Sequence, residues 1–111
     1  MANQEHLGLL RQGVDIINGF AAQHGDVTID LSGADLSGMT LSGLRIQGAN
    51  LEGTNLERAD LQRALLNAVN RTHANLRGAD CYGASFHRAN FAGADLRDVR
   101  FEADFPPRLC I

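Results

Sequence analysis

Two groups of side chains in this sequence have the types and spacing that chemistry would need. The first is a pair of columns: Asp30, Asn50, Asn70 and Asn90, then Asp35, Asn55, Asn75 and Asp95, each stepping by twenty residues. A line of carboxylates and amides is a donor set that a cation or a sugar could use. The same side chains also hydrogen-bond turn backbone and stack as amide ladders. Since the pattern around them demands these residues at every step, the structural ladder is the expectation. The second group is His6, His24, His73 and His87 with Cys81 and Cys110. A nucleophile requires a base beside it and a group that orients the base, and none of these residues stands at such a spacing. Neither cysteine has a Cys or His at metal-ligand distance along the chain. The glycines recur every five residues instead of forming a phosphate-binding loop. The reading is no enzyme, no cofactor and no metal site.

The elements that must position these residues are set by a period of five. The chain runs Ala34-Asp35-Leu36-Ser37-Gly38, Met39-Thr40-Leu41-Ser42-Gly43, Leu44-Arg45-Ile46-Gln47-Gly48, and continues to Ala94-Asp95-Leu96 with no insertion. Fifteen units are centred on every fifth residue from Leu31 to Phe101. Five matches neither a helix nor an alternating strand, and short self-similarity marks a solenoid whose units bury their faces on one another. The centre and the residue two before it are apolar, so both point inward. Glycine at the end of many units suits a corner that needs positive φ.

The A-(D/N)-L-x-x signature resembles the pentapeptide-repeat proteins over about two thirds of the chain. The resemblance implies an all-β solenoid: a right-handed quadrilateral β-helix of four units per coil, here about four coils. Columns twenty residues apart agree with it. Leu31, Leu51, Arg71 and Phe91 share a first wall, and Leu36, Leu56, Leu76 and Leu96 a second. Leu41, Leu61, Cys81 and Phe101 share a third, and Ile46, Leu66 and Phe86 a fourth.

Residues 1–25 do not repeat. Asn3 can cap a helix with Glu5 in its first turn, and Leu7, Leu10, Val14, Ile17 and Ala21 follow at helical spacing, broadened by Leu9, Ile16 and Phe20. The expectation is an N-terminal α-helical cap laid over the first coil. The repeat body then spans 26–105 and a short C-terminal tail 106–111.

Two departures from the pattern are candidate contact sites. In Ala64-Leu65-Leu66-Asn67-Ala68-Val69-Asn70-Arg71-Thr72-His73, Leu65 takes an outward position and Arg71 an inward one. An unpaired buried Arg is costly, so the backbone is expected to bulge and carry Arg71 to solvent. The alternative is that it finds an internal carboxylate or carbonyl. Leu65, Arg71 and His73 are the interaction candidates. The last coil is aromatic, with Phe86, Phe91, Phe101 and then Phe105 before Pro106-Pro107. An uncovered coil is an edge and an apolar patch, which predicts a homodimer meeting end to end through these four residues; the competing reading is that the tail folds across the end by itself.

The formal charge of −3 declares neither a basic nucleic-acid binder nor a strongly acidic surface. Six acids face two arginines from Asp26 to Asp60, a net of −4; from Leu61 onward seven arginines face five acids, a net of +2. No membrane span or signal sequence is apparent, and the cytoplasm is the default compartment. The function that follows is a non-enzymatic structural or protein-interaction module with an unknown protein partner, no direct nucleic-acid contact and no membrane. The resemblance offers one alternative, a duplex-DNA mimic that binds DNA gyrase and gives quinolone protection. A short chain with an arginine-rich rear half departs from that pattern.

Overall fold

A computed structural model describes residues 2–101 of the chain. Two helices precede the repeats, α1 over Gln4–Gln12 and α2 over Val14–Gln23. The expected single N-terminal helix is therefore broken. The break is Gly13, which ends α1 and begins α2 at φ 133 and ψ 156, a conformation that no side-chain-bearing residue holds cheaply. The start of α1 is as the sequence suggests: the Asn3 side chain accepts from the N–H groups of Glu5 and His6. Leu7, Leu10 and Ile17 are buried, whereas Ile16 is 46% exposed and takes no part in the packed face.

From residue 29 onward the chain is a solenoid. Parallel bridges join residues twenty apart in unbroken series, as in Asp30 to Asn50 to Asn70 to Asn90 and Asp35 to Asn55 to Asn75 to Asp95. Among the described residues the walls are single-residue bridges separated by turns, with no longer strand. Each wall uses one bonding pattern. Two N–H groups donate forward to the next coil, as Leu31 to the Asn50 carbonyl and Gly33 to the Glu52 carbonyl, both at 2.9 Å. One N–H donates back, as Asn50 to the Ile29 carbonyl at 2.8 Å.

The corners explain why five residues suffice for a side. Every fifth residue from Gly33 to Asp98 has positive φ, whether it is glycine or one of Arg58, Arg63, Ala68, His73, Arg88 and Asp98. Positive φ at a side-chain-bearing residue costs on the order of 1–2 kcal/mol, which the ladder on both sides must outweigh. The Asp/Asn columns serve these corners directly. Asp30, Asp35, Asn50, Asn55, Asp60, Asn70, Asn75, Asp80, Asn90 and Asp95 each accept from the backbone N–H two residues on. They are Asx turns, each closing its own unit; the expected stacked ladder gives way to this local bond. Serine at that same position, two residues on, adds a second bond, as from Ser32 Oγ to Asp30 Oδ1 at 2.7 Å.

Inside, the small residue and the centre of each unit meet those of the other walls. Leu31, Leu36, Leu41, Ile46, Leu51, Leu56, Leu61 and Leu66 are each 0–2% exposed. Full burial of such a side chain contributes roughly 1.5–3 kcal/mol. Burial is looser only at Met39 and in the last described coil, where Ala94, Leu96, Val99 and Phe101 are half-buried.

Candidate functional site

Arg71 is the residue around which the repeat is irregular, and the structure corrects the expectation of a bulge. Its bridge partners, ladder bonds and corner are regular: Arg71 N donates to the Asn90 carbonyl at 2.8 Å and Ala74 N to the Arg71 carbonyl at 3.0 Å. The backbone is held on both sides, so the side chain points inward and is 0% exposed. No internal carboxylate or carbonyl receives it either. Nε, Nη1 and Nη2 have no hydrogen-bond partner among the described residues.

The guanidinium rests on aromatic faces instead. Its carbon lies 4.6 Å from the centroid of Phe86 and 5.4 Å from that of Phe91, and desolvated contacts of this kind are worth roughly 2 kcal/mol. Phe86 meets Phe91 edge-on at 5.5 Å and Phe101 at 6.1 Å. Burial draws the Arg71 pKa down to about 10, with Cys81 across the interior pulling weakly the other way. Burial likewise pushes the Cys81 thiol up to about 11, against the lowering effect of Arg71. Since none of the three guanidinium nitrogens has a hydrogen-bond partner, the approach of the sulfur is looser than a hydrogen bond.

The other candidates do not converge on Arg71. Leu65 is half-buried on the fourth wall, bridged to Arg45 and Ser85. His73 is exposed at the corner ending the first wall, with φ 59. The three therefore form no common patch. Of the end-to-end set, Phe86 and Phe91 are buried core residues, Phe101 is half-buried, and Phe105 lies outside the described residues.

Sequence reasoning missed the polar residues that join helices to solenoid. Asn3 N donates to the Asp30 carbonyl at 2.9 Å, and Asp30 N donates to His6 Nδ1 at 3.0 Å. Asn18 does the same on the fourth wall, accepting from Arg45 N at 2.7 Å and donating to the Gly43 carbonyl at 3.0 Å. An asparagine and a histidine within amphipathic helices were the only signals. Beside α2 lies an open recess of about 800 Å³, bordered by Val14, Asn18, Ala22, Val27, Ser42 and Arg45. Among the described residues no cluster of three metal-ligating side chains occurs, and no helix is long and apolar enough to cross a membrane.

The wall surfaces mix charge. Glu57 pairs with Arg58 at 3.1 Å, Asp95 with Arg97 at 2.8 Å and Asp80 with Arg100 at 3.0 Å. The Arg97 hydrogen bonds hold the Asp95 carboxyl down at about 2.

A family model described as pentapeptide repeats matches the chain in 8 copies over residues 29–70 and 64–102. Among solved structures, a pentapeptide repeat protein of the cyanobacterium Cyanothece 51142 is 32% identical over 70% of this chain and 50% of its own, with a TM-score of 0.50. A pentapeptide repeat protein involved in heterocyst differentiation regulation, from Nostoc sp. Strain PCC 7120, is 30% identical over 65% of this chain and 36% of its own, with a TM-score of 0.45. The chain spans half or less of the length of either. No curated protein matches it.

Proposed function

The chain belongs to the pentapeptide-repeat family, whose fold is a right-handed β-helical solenoid, and on that premise we propose that it is a non-enzymatic protein-interaction module. In this reading the body is four-sided, with about four coils over residues 26–105. Residues 1–25 cap its front; the tail expected at 106–111 lies outside the described residues. The observation that supports it most is the filled interior. Apart from the half-buried Met39, inward side chains from Ile29 to Phe91 are buried, so what the molecule presents is walls and ends. Walls with side chains at fixed intervals suit recognition of another macromolecule better than enclosure of a small substrate.

A second copy meeting the last coil belongs to the same proposal. Leu96, Val99 and Phe101 are only half-buried, where Leu76 and Leu56, one and two coils before Leu96, are each 1% exposed. A strict monomer by light scattering at high concentration would remove this part.

The DNA-mimic alternative asks for a continuous negative band. On these walls Arg58, Arg97 and Arg100 neutralise the neighbouring acids, which favours the first reading. Gyrase supercoiling, with the intact protein in stoichiometric excess and with a fluoroquinolone arm, separates the two. Unchanged supercoiling is expected; inhibition or drug protection would make the mimic primary.

A further inference from the structure

The first coil begins the solenoid, so the ladder bonds it would make to a preceding coil have no wall to go to. On the first wall the helices supply them: Asn3 N takes the Asp30 carbonyl and His6 Nδ1 takes the Asp30 N–H. On the fourth wall Asn18 Oδ1 takes the Arg45 N–H. Nothing replaces them on the second and third walls. The N–H and C=O of Asp35 and of Thr40 have no partner among the described residues, and both residues are exposed. By the pattern of every other coil, the carbonyls of Ser37 and Ser42 also point to this missing rung, as Glu52 does toward Gly33. An unpaired row of this kind is a template for strand addition.

We propose that the second and third walls of the first coil are a docking edge for one peptide segment of a partner protein, added in parallel as the rung before residues 34–42 and turning the same left-handed corner between the two walls that Gly38 and Arg58 turn. This names the partner class for the interaction module proposed above and rests on that reading. A second copy of the chain does not fit there. Its whole end coil would need all four walls, and α1 and α2 already hold the first and the fourth. A single peptide segment needs only the second and third. The ladder polarity states what it must offer: two N–H donors for each acceptor on each wall, and hence no proline at those donors. Past Ser42 the segment runs into the recess beside α2, where Asp15, Asn18, Arg45 and Gln47 offer polar partners beside Val14 and Val27. Recognition is by main chain along the edge and by side chain in the recess.

The probe is a synthetic peptide with the sequence of residues 54–63, whose Leu56, Arg58, Leu61 and Arg63 N–H groups form the rung before 74–82 in the chain itself. Titrated into the full-length protein, it is expected to slow hydrogen exchange at the Asp35 and Thr40 amides. Backbone methylation at one donor nitrogen of the peptide weakens binding about tenfold, the loss of one hydrogen bond. Thr40→Pro removes a protein N–H that has no partner among the described residues, so it weakens the peptide without lowering the melting temperature. Unchanged exchange at Asp35 and Thr40 at millimolar peptide overturns the proposal, as does equal binding of the methylated peptide. If Thr40→Pro still captures the same partner protein as the unaltered chain, the docking edge fails while the interaction module stands. If neither chain captures any partner, that broader reading fails.

Discussion

The imidazole of His73 lies directly over Gly93, one coil later, so closely that a Cβ built on Gly93 would stand 2.8 Å from His73 Cδ2. Arg58 has the same relation to Gly78, where a Cβ would meet its Cγ at 3.2 Å. A side chain at one left-handed corner thus uses the bare corner of the next coil as its seat. Gly93→Ala should destabilise the protein by about 1–3 kcal/mol, from the clash and from the left-handed φ of +71. His73→Gly in the same chain should restore part of that loss, since it removes the clash and leaves the strain. Urea unfolding of the two single variants and the double variant reads the coupling; strictly additive effects would refute the contact.

Arg71→Met should stabilise the solenoid. The substitution keeps a long side chain between Leu51 and Phe91 and removes a buried charge with no hydrogen-bond partner. Replacing buried ionic groups by packed apolar ones has gained about 1–4 kcal/mol elsewhere. A lower urea midpoint for Arg71→Met would show that the stacking on Phe86 and Phe91 outweighs the desolvation.

Cys81 should make the protein sensitive to alkali. Its folded pKa of about 11 lies above the ordinary 9.0, so the fold favours the neutral thiol. The resulting stability is complete below pH 9 and is lost as pH rises toward 11. A gap of this size amounts to on the order of 2–3 kcal/mol. Arg71, held down at about 10, works in the opposite sense above that pH. The comparison is therefore the unaltered chain against Cys81→Ala between pH 8 and pH 10. The fall with pH should be shallower in the variant, and parallel curves would contradict the assignment.

Asn70→Ala should cost about 1 kcal/mol and Asn70→Asp much less. The reason is that Asn70 Oδ1 accepts from Thr72 N at 3.0 Å, a bond that a carboxylate can also make. Equal losses for both would mean that the amide N–H, and not the oxygen, carries the position. Thermal melts suffice for this test.

His6→Leu keeps the apolar bulk at a position 4% exposed but leaves the Asp30 N–H without its acceptor. A cost of about 1–3 kcal/mol is expected. The Asp30 amide should exchange faster while those of the later coils stay protected. Unchanged exchange at Asp30 would show that α1 is held by Leu7 and Leu10 alone.

The repeat made most of this architecture legible before any coordinates. A strict period of five fixed which residues face inward, and the columns Leu36, Leu56, Leu76 and Leu41, Leu61 align as the bridges place them. Glycine was a guide to the corners but an incomplete one. At Arg58, Arg63 and Arg88 the ladder imposes the left-handed conformation against the residue's own preference, which local reasoning does not anticipate. Arg71 was misread for a related reason. The cost of a buried charge was weighed, but not the hydrogen bonds on both sides that keep the backbone from bulging. Gly13 lies inside the single helix that the apolar spacing suggests, and its φ of 133 breaks that helix in two. Asn18 and His6 were invisible because their partners are backbone groups of a coil edge, which no side-chain pattern records.

The absence of any insertion between units has a consequence for how such a chain can change. Loss of one five-residue unit would turn everything downstream by a quarter of a coil. A deletion just before residue 89 would set Ala94 and Leu96 above Val69 and Arg71, taking the place of Ala89 and Phe91, and His73 would find Asp98 where Gly93 now stands. Loss of twenty residues would leave every later side chain on its own wall. Length in this molecule is therefore quantised: substitutions are read one residue at a time, but additions and losses are tolerated only by the whole turn.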